Sequence, residues 1–177
     1  MPKGLTPTSS QIVISFGLNE DAADTFTTER IDLQLNALDN EVFVVTGVKM
    51  DVTVPTFLGG SGAIRYGMFA TLSKQNIAQS ISRDLDNPSV FASANHQLYV
   101  VGDGSGFLGV ASVSENNSDG PAIPDYIDII ATPDFFVNIN GLAQSDPGGV
   151  AGKLYGYRAK ADASTYAALV QSELLSQ

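Results

Sequence analysis

The segment of residues 41–56, EVFVVTGVKMDVTVPT, constrains the fold more than any other part of this sequence. Apart from Thr46, the even-numbered residues from Val42 to Val54 are all apolar, and this period of two indicates a β-strand with one buried face. The odd-numbered residues are apolar up to Val45 and polar after Gly47. We therefore predict one long strand whose even face lies in the core. Its odd face should be covered only before Gly47, where a glycine often marks a bend, and be solvated or form a polar rim after it.

The apolar start of the odd face, Phe43 and Val45, requires a cover. The C-terminal helix, an N-terminal strand or a neighbouring subunit could each supply it, because apolar residues outside a chain's own core are usually covered by a partner. Near the other end of the sequence, Leu174 and Leu175 are adjacent and cannot share one helix face. We therefore predict Phe43, Val45, Leu174 and Leu175 as candidate subunit-interface residues.

Eight or nine strand-like segments follow one another along the chain, separated by turns rich in Gly, Pro, Asn and Asp. No helix is interleaved between them, which disfavours a parallel α/β sheet. The last segment, about 163–175, is rich in helix formers and follows a plausible N-cap, Asp162. The pattern predicts an all-β fold, an eight-stranded antiparallel jelly-roll β-sandwich with a short C-terminal α-helix. We expect a flexible N-terminal arm over 1–10 and a single domain over 11–177.

Composition narrows the classes of function. The chain has 177 residues, no cysteine and a net charge of -10. Without cysteine there is no disulfide, thiolate metal site or thiol nucleophile. The negative charge disfavours non-specific binding to nucleic acid, which depends on clustered Lys and Arg. The sequence contains no apolar stretch typical of a signal peptide or a transmembrane helix, so we expect neither.

Two features resemble catalytic or cofactor motifs. His96 is the only histidine, so it cannot join a multi-histidine metal site, and we expect it to be packed or hydrogen-bonded in a strand. A Ser-His-Asp triad would need an exposed nucleophile, and the sequence has no G-x-S-x-G turn. The segment GSGFLG at 104–109 matches G-x-G-x-x-G, but β-branched residues follow it where a helix should begin, so we predict a hairpin. We therefore predict that the chain is not an enzyme and has no catalytic residues.

Asp84, Asp86 and Asn87 are the candidate metal ligands, because their side-chain oxygens suit Ca²⁺. The segment lacks the glycine and the distant glutamate of an EF-hand loop, and Asx-rich turns commonly form without metal. We expect no other cofactor.

Three stretches carry a resemblance to a known family: RIDLQLNALDNEVFVVTGVKMDV, FFVNINGL and YGYRAKADASTYAALVQSEL. Together they resemble a viral capsid protein with a single jelly roll, of the type found in tailless icosahedral viruses. The resemblance rests on strand order, strand length and composition, and it covers the chain from about Thr25 onward. It implies a structural subunit of the virion that self-assembles into an icosahedral shell and needs no active site.

One departure from that family concerns the genome. Related capsid proteins often carry a basic N-terminal arm, whereas here Lys3 is the only basic residue before Arg30. The expected partners are therefore copies of the chain itself, other capsid proteins, and an underlying membrane or inner layer. The alternative function is a non-catalytic β-sandwich binding module, such as a carbohydrate-binding, fibre or adhesin domain.

Overall fold

The computed structural model describes residues 4–56, 61–77, 85, 87–103, 107–116 and 126–175. Within these ranges the chain forms two five-stranded antiparallel sheets and one α-helix. In chain order the elements are β1 (Leu5–Pro7), β2 (Ile12–Asn19), β3 (Thr27–Asp32), β4 (Glu41–Val52), β5 (Ser61–Ser73), β6 (Val90–Asp103), β7 (Phe107–Asn116), β8 (Asp128–Ile130), β9 (Asp134–Leu142), β10 (Gly149–Ala161) and α1 (Ala163–Leu175).

The strand pairing is that of a jelly roll. In the first sheet β10 and β4 are central, with β8 beside β4 and with β1 and β2 sharing the other side of β10. The second sheet has the order β3-β9-β5-β6-β7. When β1 and β7 are set aside, β2 pairs with β10, β3 with β9, β4 with β8, and β5 with β6. First therefore pairs with last and so on inward, as in a jelly roll. The predicted all-β sandwich with a C-terminal helix is confirmed, with ten strands in place of eight.

Of the ten strands, β1 was not predicted from the sequence, whereas β7 follows the predicted hairpin. Leu5 pairs with Ala161 and Pro7 with Ala159, and Leu5 is buried. Residues 5–7 therefore form an ordered strand, in place of the flexible arm that we predicted over 1–10. At the edge of the second sheet, β7 pairs with β6, and within the described ranges it has no strand on its other side.

The main core lies between the two sheets. Phe135 on β9 is fully buried and makes edge-to-face contacts with Phe16 on β2 and Phe91 on β6, with ring centroids 6.1 and 6.3 Å apart. Edge-to-face pairs of this kind contribute roughly 0.5–1.5 kcal/mol each beyond the burial of their area. The contact between Phe16 and Phe135 joins the two sheets, and the contact between Phe91 and Phe135 lies within the second sheet.

A bulge in β4 changes the face that its residues present. Gly47 pairs with Tyr155 while Val45 pairs with Gly156, so the intervening Thr46 has no counterpart on β10. Because side chains alternate along a strand, one extra residue reverses the two faces. The predicted bend at Gly47 is confirmed.

The face assignment was wrong for the first half of β4 because of this bulge. Phe43 and Val45 are fully buried in the inter-sheet core, on the same face as Val48 and Met50. As candidate interface residues they are enclosed by their own chain and cannot reach a neighbouring subunit. Along the second half, Lys49, Asp51 and Thr53 are exposed, as predicted.

Val42 and Val44 take the outward face instead, and α1 covers them. They lie in a second apolar cluster with Leu5, Ala131, Ala159 and Ala161, against which Tyr166, Leu169 and Val170 of α1 pack. A cover over half of one face is thus present, and the helix and an N-terminal strand of the same chain supply it.

The helix α1 begins at the predicted N-cap. The Thr165 N–H donates to Asp162 Oδ1 at 2.7 Å, and this bond lowers the pKa of the Asp162 carboxyl. The helix ends at Leu175, which is 76% exposed, whereas the side chain of Leu174 lies outside the described residues. Their assignment to an interface stays a prediction.

The close packing of β10 on β4 yields a stability prediction. A Cβ added at Gly156 would lie 2.4 Å from both Phe43 Cε1 and the Val44 carbonyl oxygen. We expect Gly156→Ala to lower the free energy of unfolding by about 1–3 kcal/mol, because the buried ring must shift. Gly109→Ala is the matched control, since nothing lies within 4 Å of a Cβ there. Chemical denaturation measures both, and equal stabilities would contradict this packing.

Candidate subunit interface

The predicted calcium site lies mostly outside the described residues. Asp84 and Asp86 are among those not described. The Asn87 side-chain oxygen accepts hydrogen bonds from the Ser89 N–H at 3.0 Å and the Ser89 hydroxyl at 2.7 Å, which is a local Asx turn. Within the described ranges no group of three His, Asp or Glu side chains could hold a metal ion. The calcium assignment stays a prediction.

His96 is hydrogen-bonded, as predicted. Its Nε2 lies 2.9 Å from the Ser112 hydroxyl on the neighbouring strand. A serine–histidine pair needs a carboxylate to orient the ring before it resembles a catalytic triad. The acid of β7, Glu115, alternates to the opposite face of the sheet and accepts a hydrogen bond from Asn95 at 3.2 Å. β6 and β7 pair antiparallel on either side of residues 104–106, as the predicted hairpin requires, and those three residues lie outside the described ranges.

Two buried carboxylates serve the fold. Glu20 accepts hydrogen bonds from the backbone N–H groups of Gly141 and Gly148, so it ties the end of β2 to the ends of the β9–β10 connection. Burial raises the pKa of Glu20 above its ordinary value, although the two hydrogen bonds oppose this shift.

Glu173 anchors α1 to the segment after β8. Its Oε1 accepts a hydrogen bond from the Ala131 N–H at 2.9 Å, while Oε2 is buried without a hydrogen-bond partner among the described residues. An ion pair between Lys74 and Asp128, 3.0 Å apart, lies close enough to act on it. Burial raises the pKa of Glu173 against the opposing effects of the Ala131 hydrogen bond and the Lys74 charge. The sequence placed Glu173 on the apolar stripe of the helix, which was the only signal of this role.

Exposed large apolar side chains concentrate on β6 and β7. Tyr99, Val101 and Val113 are between 40% and 43% exposed and lie on one face of the sheet, and we call these three residues the β6–β7 patch. Val110, which is 52% exposed, lies on the opposite face, because it is paired with the buried Val100. On β7 itself, every residue from Gly109 to Glu115 is exposed. Scattered exposed apolar residues are normal in proteins, whereas contiguous ones mark an interaction surface.

The aromatic residue of this patch is held in place by Arg65 on β5. The Arg65 guanidinium lies 5.8 Å from the Tyr99 ring centroid and 6.0 Å from that of the buried Phe69. Arg65 Nε also donates to the Gln97 side-chain oxygen at 2.8 Å, and the Tyr99 hydroxyl donates to the same oxygen at 3.2 Å. Tyr and Arg held in this way on a flat sheet face are typical of binding hot spots.

The same strands carry very little charge. Among the described side chains of β6 and β7, Glu115 is the only carboxylate, and no Lys or Arg is present. By contrast, the opposite edge of this sheet, β3, carries Glu29, Arg30 and Asp32 in six residues. Charged side chains on an edge strand hinder its pairing with a strand of another molecule, so β3 is protected from such pairing and β7 is not. The sequence analysis missed this surface, although the segments LYVV and GVASVS lack charge on both faces.

No protein-family model matches this chain, and no curated protein is similar to it. The case for function therefore rests on its own residues. In the part of the chain that the structure describes, we find no helix with the length and apolarity needed to cross a membrane.

Glu173 provides a pH-dependent prediction. Its folded-state pKa is raised, so between its ordinary and its raised value the folded state binds more protons, and this contribution to stability is lost as pH rises through that window. Glu173→Gln keeps an acceptor for Ala131 and does not titrate. We expect the variant to gain stability relative to wild type as the pH rises above the ordinary pKa of a glutamate and through the raised pKa of Glu173.

Denaturant titrations at several pH values measure this difference. Exposed Glu29→Gln is the control for loss of one negative charge. A stability difference that does not change with pH for Glu173→Gln would contradict the assignment.

Proposed function

We propose that this protein is a capsid subunit that self-assembles into the closed icosahedral shell of a virion. The observation that carries the proposal is the β6–β7 patch, an apolar and nearly uncharged surface on a chain whose net charge is -10. The jelly-roll pairing of the strands supports it, because this architecture is used by viral capsid domains, although lectin domains and cupins share it.

Electrostatics explains why assembly would use this surface. Copies of a chain with a charge of -10 repel one another over most of their surface. An interface core is depleted of charge and enriched in aromatic residues and Arg. Tyr99 and Arg65, together with Val101 and Val113, have this composition.

The distribution of basic residues bears on the partners of the shell. Lys49 and Lys153 lie directly opposite each other on β4 and β10, and both are exposed. Two lysines are far fewer than the phosphate contacts of a genome-packaging arm. We therefore propose that the shell encloses the genome without neutralising it, or lies over a membrane or an inner layer.

A carbohydrate-binding, fibre or adhesin module is the second candidate. An exposed aromatic ring on a flat sheet, such as Tyr99 at 43% exposure, can also serve as a platform for an apolar ligand surface. Such a module would remain monomeric at high concentration, and it would lose ligand binding upon Tyr99→Ala. Assembly and ligand binding therefore discriminate the two candidates.

Sedimentation velocity and negative-stain microscopy of the purified chain, across salt and pH, test the proposal. We expect discrete particles or capsomer-sized oligomers from wild type. Val113→Lys should raise the concentration required for assembly at least about tenfold, which corresponds to about 1.4 kcal/mol. Leu38→Lys is the control, because Leu38 is 96% exposed in a short 3-10 helix between β3 and β4 and belongs to neither β6 nor β7. The proposal would be contradicted if the chain stayed monomeric under all conditions. It would also be contradicted if Val113→Lys and Leu38→Lys changed the concentration required for assembly equally.

A further inference from the structure

We infer that two copies of this chain join through their β7 edges, antiparallel and around a twofold axis at Ser112, so that one sheet continues across both copies. This inference rests on the proposed self-assembly and specifies its first contact.

The free edge of β7 can pair with another extended strand through its backbone groups. In an antiparallel pair, alternate residues direct their N–H and C=O groups away from the partner strand. On an edge strand these groups form a ready template for one more strand. Here the edge is seven exposed residues long, Gly109 to Glu115.

A second β7 is the strand that fits best among the described edges. β1 and β8 are three residues long, and β3 carries three charges. β2 is uncharged, but it lies on the other sheet, away from the exposed Tyr99 and Val101. Pairing β7 with itself satisfies both edges at once and gives a closed twofold contact, the commonest symmetry of protein oligomers.

The register follows from the sequence of β7. Residues directly opposite in an antiparallel pair point to the same face, so the axis must pass through a residue and not between two residues. With Ser112 on the axis, Ala111 faces Val113 of the other copy, and Gly109 faces Glu115 of the other copy. An axis at Val113 would instead place Glu115 against Ala111 and leave Gly109 unpaired.

This register also keeps the negative charges apart. Each Glu115 lies three residues from the axis, so the two carboxylates are separated by roughly 20 Å at about 3.4 Å per residue. That distance exceeds the Debye length of about 8 Å at physiological ionic strength, so their repulsion is screened. On the outer face, Tyr99 is opposite Ala111 within each copy, so an apolar strip of Tyr99, Ala111 and Val113 continues across the axis.

Disulfide cross-linking tests the axis directly, because the chain has no cysteine of its own. In Ser112→Cys the two sulfur-bearing residues would have Cα atoms about 4.5–5.5 Å apart, within the range that a disulfide spans. Val110→Cys is the matched control, since the two copies of residue 110 would be about 14 Å apart. Mild oxidation and non-reducing electrophoresis should give a covalent dimer for Ser112→Cys, none for Val110→Cys, and a heterodimer for Val110→Cys mixed with Ser114→Cys.

Ser112→Cys removes the hydrogen bond to His96, so a second pair of variants guards against a folding defect. Ser112→Lys and Ser112→Glu should each fail to pair alone, because like charges would meet at the axis, and an equimolar mixture should regain dimers in sedimentation velocity. Wild type could form oligomers while Ser112→Cys gives no covalent dimer and the mixture of Ser112→Lys and Ser112→Glu gives no dimer. That result would overturn the β7 inference and would leave the proposed function unaffected. Cross-linking of Ser112→Cys to Ser15→Cys on β2, in its place, would also overturn the twofold contact. A wild-type chain that never associates would overturn the proposed function itself.

Discussion

The extra residue at Thr46 determines how the first sheet can be packed on both sides. Before the bulge, β4 directs Phe43 and Val45 into the inter-sheet core and Val42 and Val44 outward under α1. After it, Lys49 and Asp51 face solvent. Without the reversal, the even-numbered residues would have remained on one side along the whole strand. The outward face would then have carried the apolar Phe43 and Val45 together with the charged Lys49 and Asp51. Because of the bulge, one strand packs against the inter-sheet core along its whole length, while its outer face contacts α1 before Thr46 and solvent after it.

Alternation and turn chemistry predicted the sandwich, the long β4, the N-cap at Asp162 and the helix α1. The face of Phe43 could not be predicted, because residues 42–45 are apolar on both faces and carry no sign of the reversal that the bulge imposes. Leu5 gave little signal either, since a three-residue strand that follows Gly4 and ends at Pro7 is too short to show a period. The anchoring role of Glu173 depends on Ala131, which is distant in sequence, so only the fold brings the two together.

The proposed interaction surface lies where charged side chains are scarce. The chain has a net charge of -10, yet Glu115 is the only carboxylate among the described side chains of β6 and β7. Glu20 and Glu173 are buried for structural reasons and make backbone hydrogen bonds. The proposed contact between copies therefore has Tyr99 and Arg65 at its centre.

Hydrogen–deuterium exchange of the β7 backbone, measured below and above the concentration at which the chain assembles, tests the central claim most directly. If copies meet along β7, the amides of residues 109–115 that point away from β6 should exchange at least about tenfold more slowly in the assembled state, because they gain hydrogen-bond partners. Amides of β3, the charged edge strand, should not change. Protection of β3 or α1 with unchanged exchange along β7 would contradict the account.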